Sequence, residues 1–339
     1  MSKPTVFISG ANGFMAQHIV KQLLDSKAYK VVGSVRSAAK ADQMKADFHN
    51  NPDLSFVFVE DLSKLDAFDV VFKEHGPSFD YILHTASPVN FAAKDLEKDV
   101  IVPAINGTKN IFQATLKYAP NVKKFVQTSS VAAMYDITSD ITPKEIVTEG
   151  SWNPITFEQG LENQLNAYLY SKTAGEKGLW ELHKSSNAKF PLVVINPTYV
   201  FGPQAFNSSA KGSLNASNEV ISAIVQSKLN DDNVTNVKGG FIDVRDVARA
   251  QVEAISNSNF NGRRMILDNR NFSSQEVADI INANIPQLKG KIAKDVTLKE
   301  VGPGFSANID NHVSKELLGF EFIDFPKTVI DTVDQILRV

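Results

Sequence analysis

Along the first two hundred positions, short apolar runs rich in β-branched residues take turns with stretches whose apolar positions recur at three and four. The runs are TVFIS, KVVGSV, SFVFVE, YILHTAS, KKFVQTSS and FPLVVINP. Their hydrophobicity is nearly continuous rather than alternating, the pattern of strands covered on both faces of a parallel sheet. Between them, AQHIVKQLLDS puts Ile19 with Leu23 and Val20 with Leu24 on one stripe, as an amphipathic helix requires. The segment DVIVPAINGTKNIFQATLKYA predicts a longer, largely apolar helix with a kink or a late start at Pro103. This strand-helix rhythm predicts an α/β fold built on a doubly wound parallel sheet.

After about residue 200 the rhythm changes. GPQAFNSSAKGSLNAS reads as a loop, GGFIDVRDVARAQVEAIS as a short strand entering a helix, and RRMILDN as a strand. SSQEVADIINANIP and FPKTVIDTVDQILRV read as helices. At 339 residues the chain exceeds the usual size of one core, so two regions are expected. Residues 1–200, with a returning segment at about 239–268, form the first, while 201–238 and 269–339 form a smaller mixed α/β domain that binds substrate.

Composition excludes several classes. With 43% hydrophobic and 22% charged residues the chain is globular rather than disordered. A net charge of −3 gives no field for nucleic acid or an anionic membrane. No apolar run reaches the ~18 residues of a membrane helix. There is no cysteine, and the six histidines are scattered without ligand spacing, so no metal is expected. The start MSKPTVFISG shows no secretory pattern, and a cytoplasmic protein is expected.

TVFISGANGFMAQHIV sets Gly10, Gly13 and Ala16 between the first strand and the first helix. A glycine permits the tight turn, a second lets backbone approach a pyrophosphate, and a small third residue packs helix on strand. The helix start offers free N–H groups to phosphate. The pattern points to a Rossmann-type dinucleotide site, with Gly10, Asn12, Gly13, Phe14 and Met15 as cofactor contacts. At the end of the second strand, VVGSVRSAAK lacks the acid that an NAD enzyme uses for the ribose 2′-hydroxyl. Arg36 and Lys40, four apart on the first turn of the next helix, are placed to meet a 2′-phosphate instead, which selects NADPH.

NAYLYSK holds two tyrosines and one lysine. At 3.6 residues per turn Tyr168 and Lys172 share a helix face, whereas Tyr170 points about 160° away from Lys172. Tyr168 is therefore the acid-base candidate and Tyr170 packs or faces solvent. A neighbouring ammonium and a bound cofactor's charge would lower the phenol pKa toward the working range, which at about 1.4 kcal/mol per unit asks for ~3–4 kcal/mol. FVQTSSVAAM ends an apolar strand in hydroxyls, where open α/β sheets bind ligands. Such a hydroxyl either holds a substrate carbonyl oxygen beside Tyr168 or caps the departing chain.

These motifs, together with HTASPV, AINGTKN, NPTYVFGPQ and FIDVRDVARA, resemble the extended short-chain dehydrogenase/reductase family over essentially the whole chain. Within it the sequence is similar to yeast NADPH-dependent aldehyde and methylglyoxal (carbonyl) reductases, relatives of plant dihydroflavonol reductases. The resemblance implies Ser130, Tyr168 and Lys172 as catalytic residues with Asn106 in support. It implies Arg36 and Lys40 as the 2′-phosphate clamp and Asp61 and Leu62 at the adenine. It implies Thr85, Ala86, Ser87, Tyr168, Lys172, Pro197 and Val200 as the remaining cofactor contacts. Val89, Phe91, Ser130, Val131, Met134, Tyr168, Tyr199 and Phe206 would line an apolar substrate pocket. Ala16 replaces a third glycine, and Val89 and Val131 stand where several yeast relatives carry aromatics, which implies a wider pocket. The expected activity is NADPH-dependent reduction of small aldehydes and ketones by a monomer or homodimer. The rival readings are a nucleotide-sugar epimerase or dehydratase, against which Arg36 argues, and a non-catalytic NADP(H) sensor.

Overall fold

The computed structural model describes residues 2–87, 93–136, 145–212, 214–231, 234–296 and 307–339. In chain order its strands are β1 Thr5–Ser9, β2 Lys30–Val35, β3 Leu54–Phe58, β4 Tyr81–His84, β5 Lys124–Thr128, β6 Ile146–Val147, β7 Leu192–Pro197, β8 Tyr199–Phe201, β9 Lys238–Asp243, β10 Arg264–Leu267, β11 Arg270–Ser273 and β12 Asn308–Ile309. Its α-helices are α1 Phe14–Asp25, α2 Ala38–Asp47, α3 Asp69–His75, α4 Val102–Tyr118, α5 Phe157–Gly160, α6 Gln164–Ser185, α7 Ala216–Gln226, α8 Val244–Ser256, α9 Ser274–Asn284, α10 His312–Leu318 and α11 Phe325–Ile336. None of the described helices is long and apolar enough to cross a membrane.

Seven strands form one sheet in the order β10-β7-β5-β4-β1-β2-β3. From β3 to β7 each neighbouring pair is parallel. The expected doubly wound sheet is thus present, and its strand order reverses between β1 and β4, where ligands bind in such folds. The apolar runs explain it: Val6, Phe7 and Ile8 of β1, and Leu192, Val193, Val194 and Ile195 of β7, are all fully buried. Pro103 settles as a late start. A π-helical turn at Glu97–Ile101 precedes α4, and the proline sits in the first turn of α4, where its missing N–H costs nothing.

The chain divides into two compact units, 1–136 with 149–196 and 248–265, and 137–148 with 197–247 and 266–339. The core of the first gathers Phe7, Phe68, Phe72, Phe79, Phe112, Phe125 and Phe190 with aliphatic residues from β4 and β7. The second holds a three-stranded sheet, β11-β9-β8, with β8 parallel and β11 antiparallel to β9. Its core centres on Phe201, Phe241, Phe272 and Phe325, with ring centroids as close as 4.7 Å.

Phe7 meets the rings of Phe72 and Phe79 at 5.0 Å each. Phe7→Ala should therefore lower unfolding free energy by about 3–5 kcal/mol, since the void cannot be refilled by a rigid aromatic cluster. Urea denaturation checks this, and a shift under about 1 kcal/mol would contradict it.

Candidate active site

The glycine turn does what its spacing predicts. Gly10 has φ +64°, and a Cβ there would stand 2.9 Å from that of Ala86, so both conformation and crowding demand glycine. Its N–H donates to Ser34 Oγ at 3.1 Å, while Gly13 N–H closes the turn on the Gly10 carbonyl at 2.8 Å. Gly13 is exposed, and an added Cβ there would touch only the Gly10 oxygen. Ala16 is buried. The N-terminus of α1 receives no side-chain cap and no acid in its first turn. Backbone N–H groups of Phe14 and Met15 consequently lie at an uncapped, positive helix end that suits a pyrophosphate. Asn12 is held in the same turn, its carbonyl accepting from Gln17 Nε2 at 2.9 Å.

Arg36 lies one residue beyond β2, ahead of α2, and Lys40 lies in the first turn of that helix. The expectation of both on one helical turn is corrected to this extent: Ser37 is the N-cap, extended at φ −154°, so Arg36 is still in the strand-to-helix link. Both cations are exposed and form no salt bridge among the described residues. Arg36 helps hold the Asp61 carboxyl below its ordinary value, after hydrogen bonds from the Ser63 hydroxyl and N–H. Leu62 packs against Gly107, where a Cβ would overlap its Cδ1. Asn106 donates to the Ser63 carbonyl at 3.4 Å, beside Asn110, which donates to the Leu62 and Lys64 carbonyls. The structure therefore joins Asn106 to the 61–64 loop rather than to Ser130, Tyr168 or Lys172.

Across the reversal point, Ser9 Oγ accepts from the N–H groups of Thr85 and Ala86 at 3.1 and 3.0 Å and pairs with His84 Nδ1 at 2.7 Å. Thr85 Oγ1 returns a bond to the Ser9 carbonyl. The link from β4 is thereby pinned to the end of β1, which sets the Ser87 hydroxyl where Lys172 Nζ donates to it at 3.0 Å.

Tyr168 and Lys172 do share one face of α6. The Tyr168 phenol hydrogen-bonds Ser130, and Lys172 Nζ lies 5.7 Å from the Tyr168 ring centroid. Tyr170 turns away and packs edge-on to Phe157 at 5.5 Å, with its Cβ against Gly160. Of the two roles weighed for Ser130, the capping one is seen: its Oγ caps the turn Val131–Ala133 by accepting from Ala132 N–H at 3.1 Å, and its hydroxyl also bonds the phenol. Val131 and Met134 are buried beside it in sequence, at 7% and 1% exposure. Val89 and Phe91 lie outside the described residues. Pro197 closes β7, while Val200 and Tyr199 belong to β8 of the second unit, where Tyr199 packs on Phe201 and Phe272. Phe206 precedes a short 3-10 turn in that unit.

The electrostatics depart from expectation in one respect. Burial pushes the Tyr168 phenol above its ordinary value, opposed only by the Ser130 hydroxyl. The Lys172 ammonium donates to Ser87 and is itself pushed down to about 8 by burial, with Glu176 opposing. His84 falls to about 3 through burial first and Lys172 second, so it is neutral. His84, Ser9 and Glu176 were not singled out from sequence. For Glu176 a signal existed: it continues the 168–172 spacing by one more turn.

A dinucleotide fits this arrangement: an uncapped helix end, an open glycine, two exposed cations and a lysine with a hydroxyl partner stand at the ends of β1, β2 and β4. The sequence profile of the NAD dependent epimerase/dehydratase family matches residues 6–267. The chain belongs to that family. It is 43% identical over 342 residues to an NADPH-dependent methylglyoxal reductase of Saccharomyces cerevisiae, covering 98% of each chain. A putative NADPH-dependent methylglyoxal reductase of Candida albicans is 42% identical over 341 residues, covering 99% of each. The crystal structure of yeast methylglyoxal/isovaleraldehyde reductase complexed with NADPH superposes with a TM-score of 0.92 at 42% identity, covering 98% of both chains. Vestitone reductase from alfalfa, at 21% identity and a TM-score of 0.74, shares the fold.

Lys172 allows a test that needs no substrate. Its folded value of about 8 lies below the ordinary 10.5. The unfolded chain thus binds this proton more tightly, so the lysine's contribution to stability grows as pH rises from 8 toward 10.5 and is a fixed cost below 8. NMR of the Lys172 Cε/Nζ resonances should give a midpoint near 8 in the folded protein, and a midpoint at 10 or above would refute the assigned environment.

Proposed function

We propose that this protein is an NADPH-dependent reductase of small aldehydes and ketones, acting in the cytoplasm. The observation that carries it is the Ser130–Tyr168 contact beside Lys172 on one face of α6. The relatives named for NADPH-dependent methylglyoxal reduction match over nearly the whole chain and support the same reading. A cysteine-free chain suits a reducing compartment.

Gly10, Asn12, Gly13, Phe14 and Met15 would hold the pyrophosphate, Arg36 and Lys40 the 2′-phosphate, and Asp61 and Leu62 the adenine. Thr85, Ala86, Ser87, Lys172, Pro197 and Val200 complete the set. The cofactor supplies a hydride to the carbonyl carbon. Ser130 donates a hydrogen bond to the carbonyl oxygen, and Tyr168 hands its proton to that oxygen as negative charge develops there. The phenol keeps its proton throughout the neutral range, and the bound cofactor's charge with that of Lys172 would offset the burial that makes it a weaker acid. Lys172 fixes the nearby ribose and its charge offsets the phenolate left behind. Val131 and Met134, next to Ser130 in sequence, would offer apolar surface to the substrate's alkyl group.

Epimerases of this family keep their cofactor bound through the cycle and carry an acid after β2. Arg36 at that position favours the reductase.

Tyr168→Phe should reduce kcat by at least about 10²-fold while NADPH still binds, whereas Tyr170→Phe should leave most activity because its ring only packs on Phe157. NADPH consumption with methylglyoxal, followed at 340 nm by its absorbance, decides this. If Tyr170→Phe does the greater damage, the proton donor has been misassigned.

Arg36→Asp should lower kcat/KM for NADPH by about 10²-fold or more through lost charge-assisted bonds and new repulsion, and narrow the preference over NADH. Raising salt should shrink the parent's preference, because both cations are exposed. A parent that prefers NADH, or a variant with unchanged preference, would remove the clamp and return the epimerase reading.

A further inference from the structure

Tyr168, Lys172 and Glu176 follow one another at intervals of four on α6 and so form a single stripe. The third of them, only 2% exposed, sits in a closed polar network. Its Oε2 accepts from the Ser129 hydroxyl at 2.5 Å and from Asn196 Nδ2 at 2.7 Å. Its Oε1 accepts from Arg264 Nε at 2.5 Å and from Trp180 Nε1 at 3.4 Å. Asn196 Nδ2 also donates to the Ser130 carbonyl at 3.0 Å. Arg264 lies over the Trp152 ring at 3.7 Å and donates to the carbonyls of Ala133, Glu149 and Ser151.

Two neighbouring serines at the end of β5 are therefore gripped by one helix at points two turns apart. Ser130 meets Tyr168 through a hydroxyl that is mobile about one bond, while Ser129 meets Glu176 through a buried charge that cannot be left without partners. The second contact is the stiffer one, and it fixes how far α6 slides and turns against the strand end. Asn196 extends the grip from the side chain of Ser129 to the backbone of Ser130 itself.

We propose that Glu176 is a positioning residue for the reduction, holding the Ser130 peptide, through Ser129 and Asn196, in register with the helix that carries Tyr168 and Lys172. This rests on the reductase reading and deepens it. Glu176 touches neither substrate nor cofactor in this scheme. It acts by keeping the carbonyl-binding hydroxyl and the proton donor at one distance, and misplacement of such groups by a fraction of an ångström to an ångström lowers turnover more than binding.

The test uses Ser129→Ala, Ser129→Thr and Glu176→Gln in the full chain. It measures kcat and KM with methylglyoxal, the NADPH dissociation constant by fluorescence, and Tm. Ser129→Ala removes one bond and leaves the Glu176–Arg264 pair whole, so it decides the matter even if Glu176→Gln does not fold. Ser129→Ala and Glu176→Gln should lower kcat about tenfold or more, with KM and NADPH affinity within about twofold of the parent. Ser129→Thr, which restores the hydroxyl, should recover kcat to within about twofold. Unchanged kcat in Ser129→Ala overturns the proposal, as does a loss that tracks NADPH affinity or that threonine fails to rescue. A parent that oxidises no NADPH with any aldehyde overturns the reductase reading and this inference with it, whereas an active parent with an indifferent Ser129→Ala overturns this inference alone.

Discussion

A parallel sheet covered on both faces leaves little room for polar groups along its length, and the gathering of polar side chains at its strand ends follows from that constraint. Polar residues appear at the strands' C-terminal ends: Ser9 closes β1, His84 closes β4, Gln127 and Thr128 close β5, and Asn196 stands next to last in β7. All five are buried. They bond in part to one another and to the links leaving the sheet, as in the bonds joining Ser9 with His84, Thr85 and Ala86 and from Gln251 to Thr128, while His84 Nε2, Gln127 Oε1 and Asn196 Oδ1 are left without a partner among the described residues. The site at the strand ends is thus the place where the polar chemistry excluded from the core accumulates.

Burial acts in opposite directions on the two central groups. It raises the phenol of Tyr168 and lowers the ammonium of Lys172, favouring the neutral form of each. The surroundings correct this selectively: Ser130 gives the phenol a donor, and Glu176 gives the ammonium a negative charge one turn along the helix. His84, neutral and paired with Ser9, adds no competing cation at neutral pH. A tyrosine that keeps its proton beside a lysine that stays charged is the pairing a proton donor needs.

Local rules made much of this legible. The i, i+4 relation separates Tyr168 from Tyr170, the uncapped helix after Gly13 follows from Gly-x-x-Gly-x-x-Ala, and Pro103 marks where α4 begins. What could not be read depends on partners far away in sequence. Glu176 meets Arg264, 88 positions later, and Ser129, 47 positions earlier. Nothing in the spacing of these residues reveals that β10 joins the sheet beside β7 and brings the guanidinium to the carboxylate. Asn106 shows the same dependence: its motif implies a supporting part beside the catalytic residues, and the structure adds a contact that spacing does not announce, its amide donating to the Ser63 carbonyl of the 61–64 loop.

The same scaffold serves reductases and epimerases, so the fold cannot decide between them. What separates them is how long the cofactor stays. A reductase must release the oxidised cofactor each cycle, so its grip has to be firm and reversible at once. Exposed cations at Arg36 and Lys40 suit that requirement: in the proposed clamp they would meet a 2′-phosphate through charge while remaining open to water and salt. The enclosed contacts, Lys172 with Ser87 and Tyr168 with Ser130, would in the proposed scheme surround the reacting end, where geometry counts for more than affinity. Reversible binding at one end of the cofactor and a rigid frame at the other is the division of labour expected of an enzyme that turns its cofactor over.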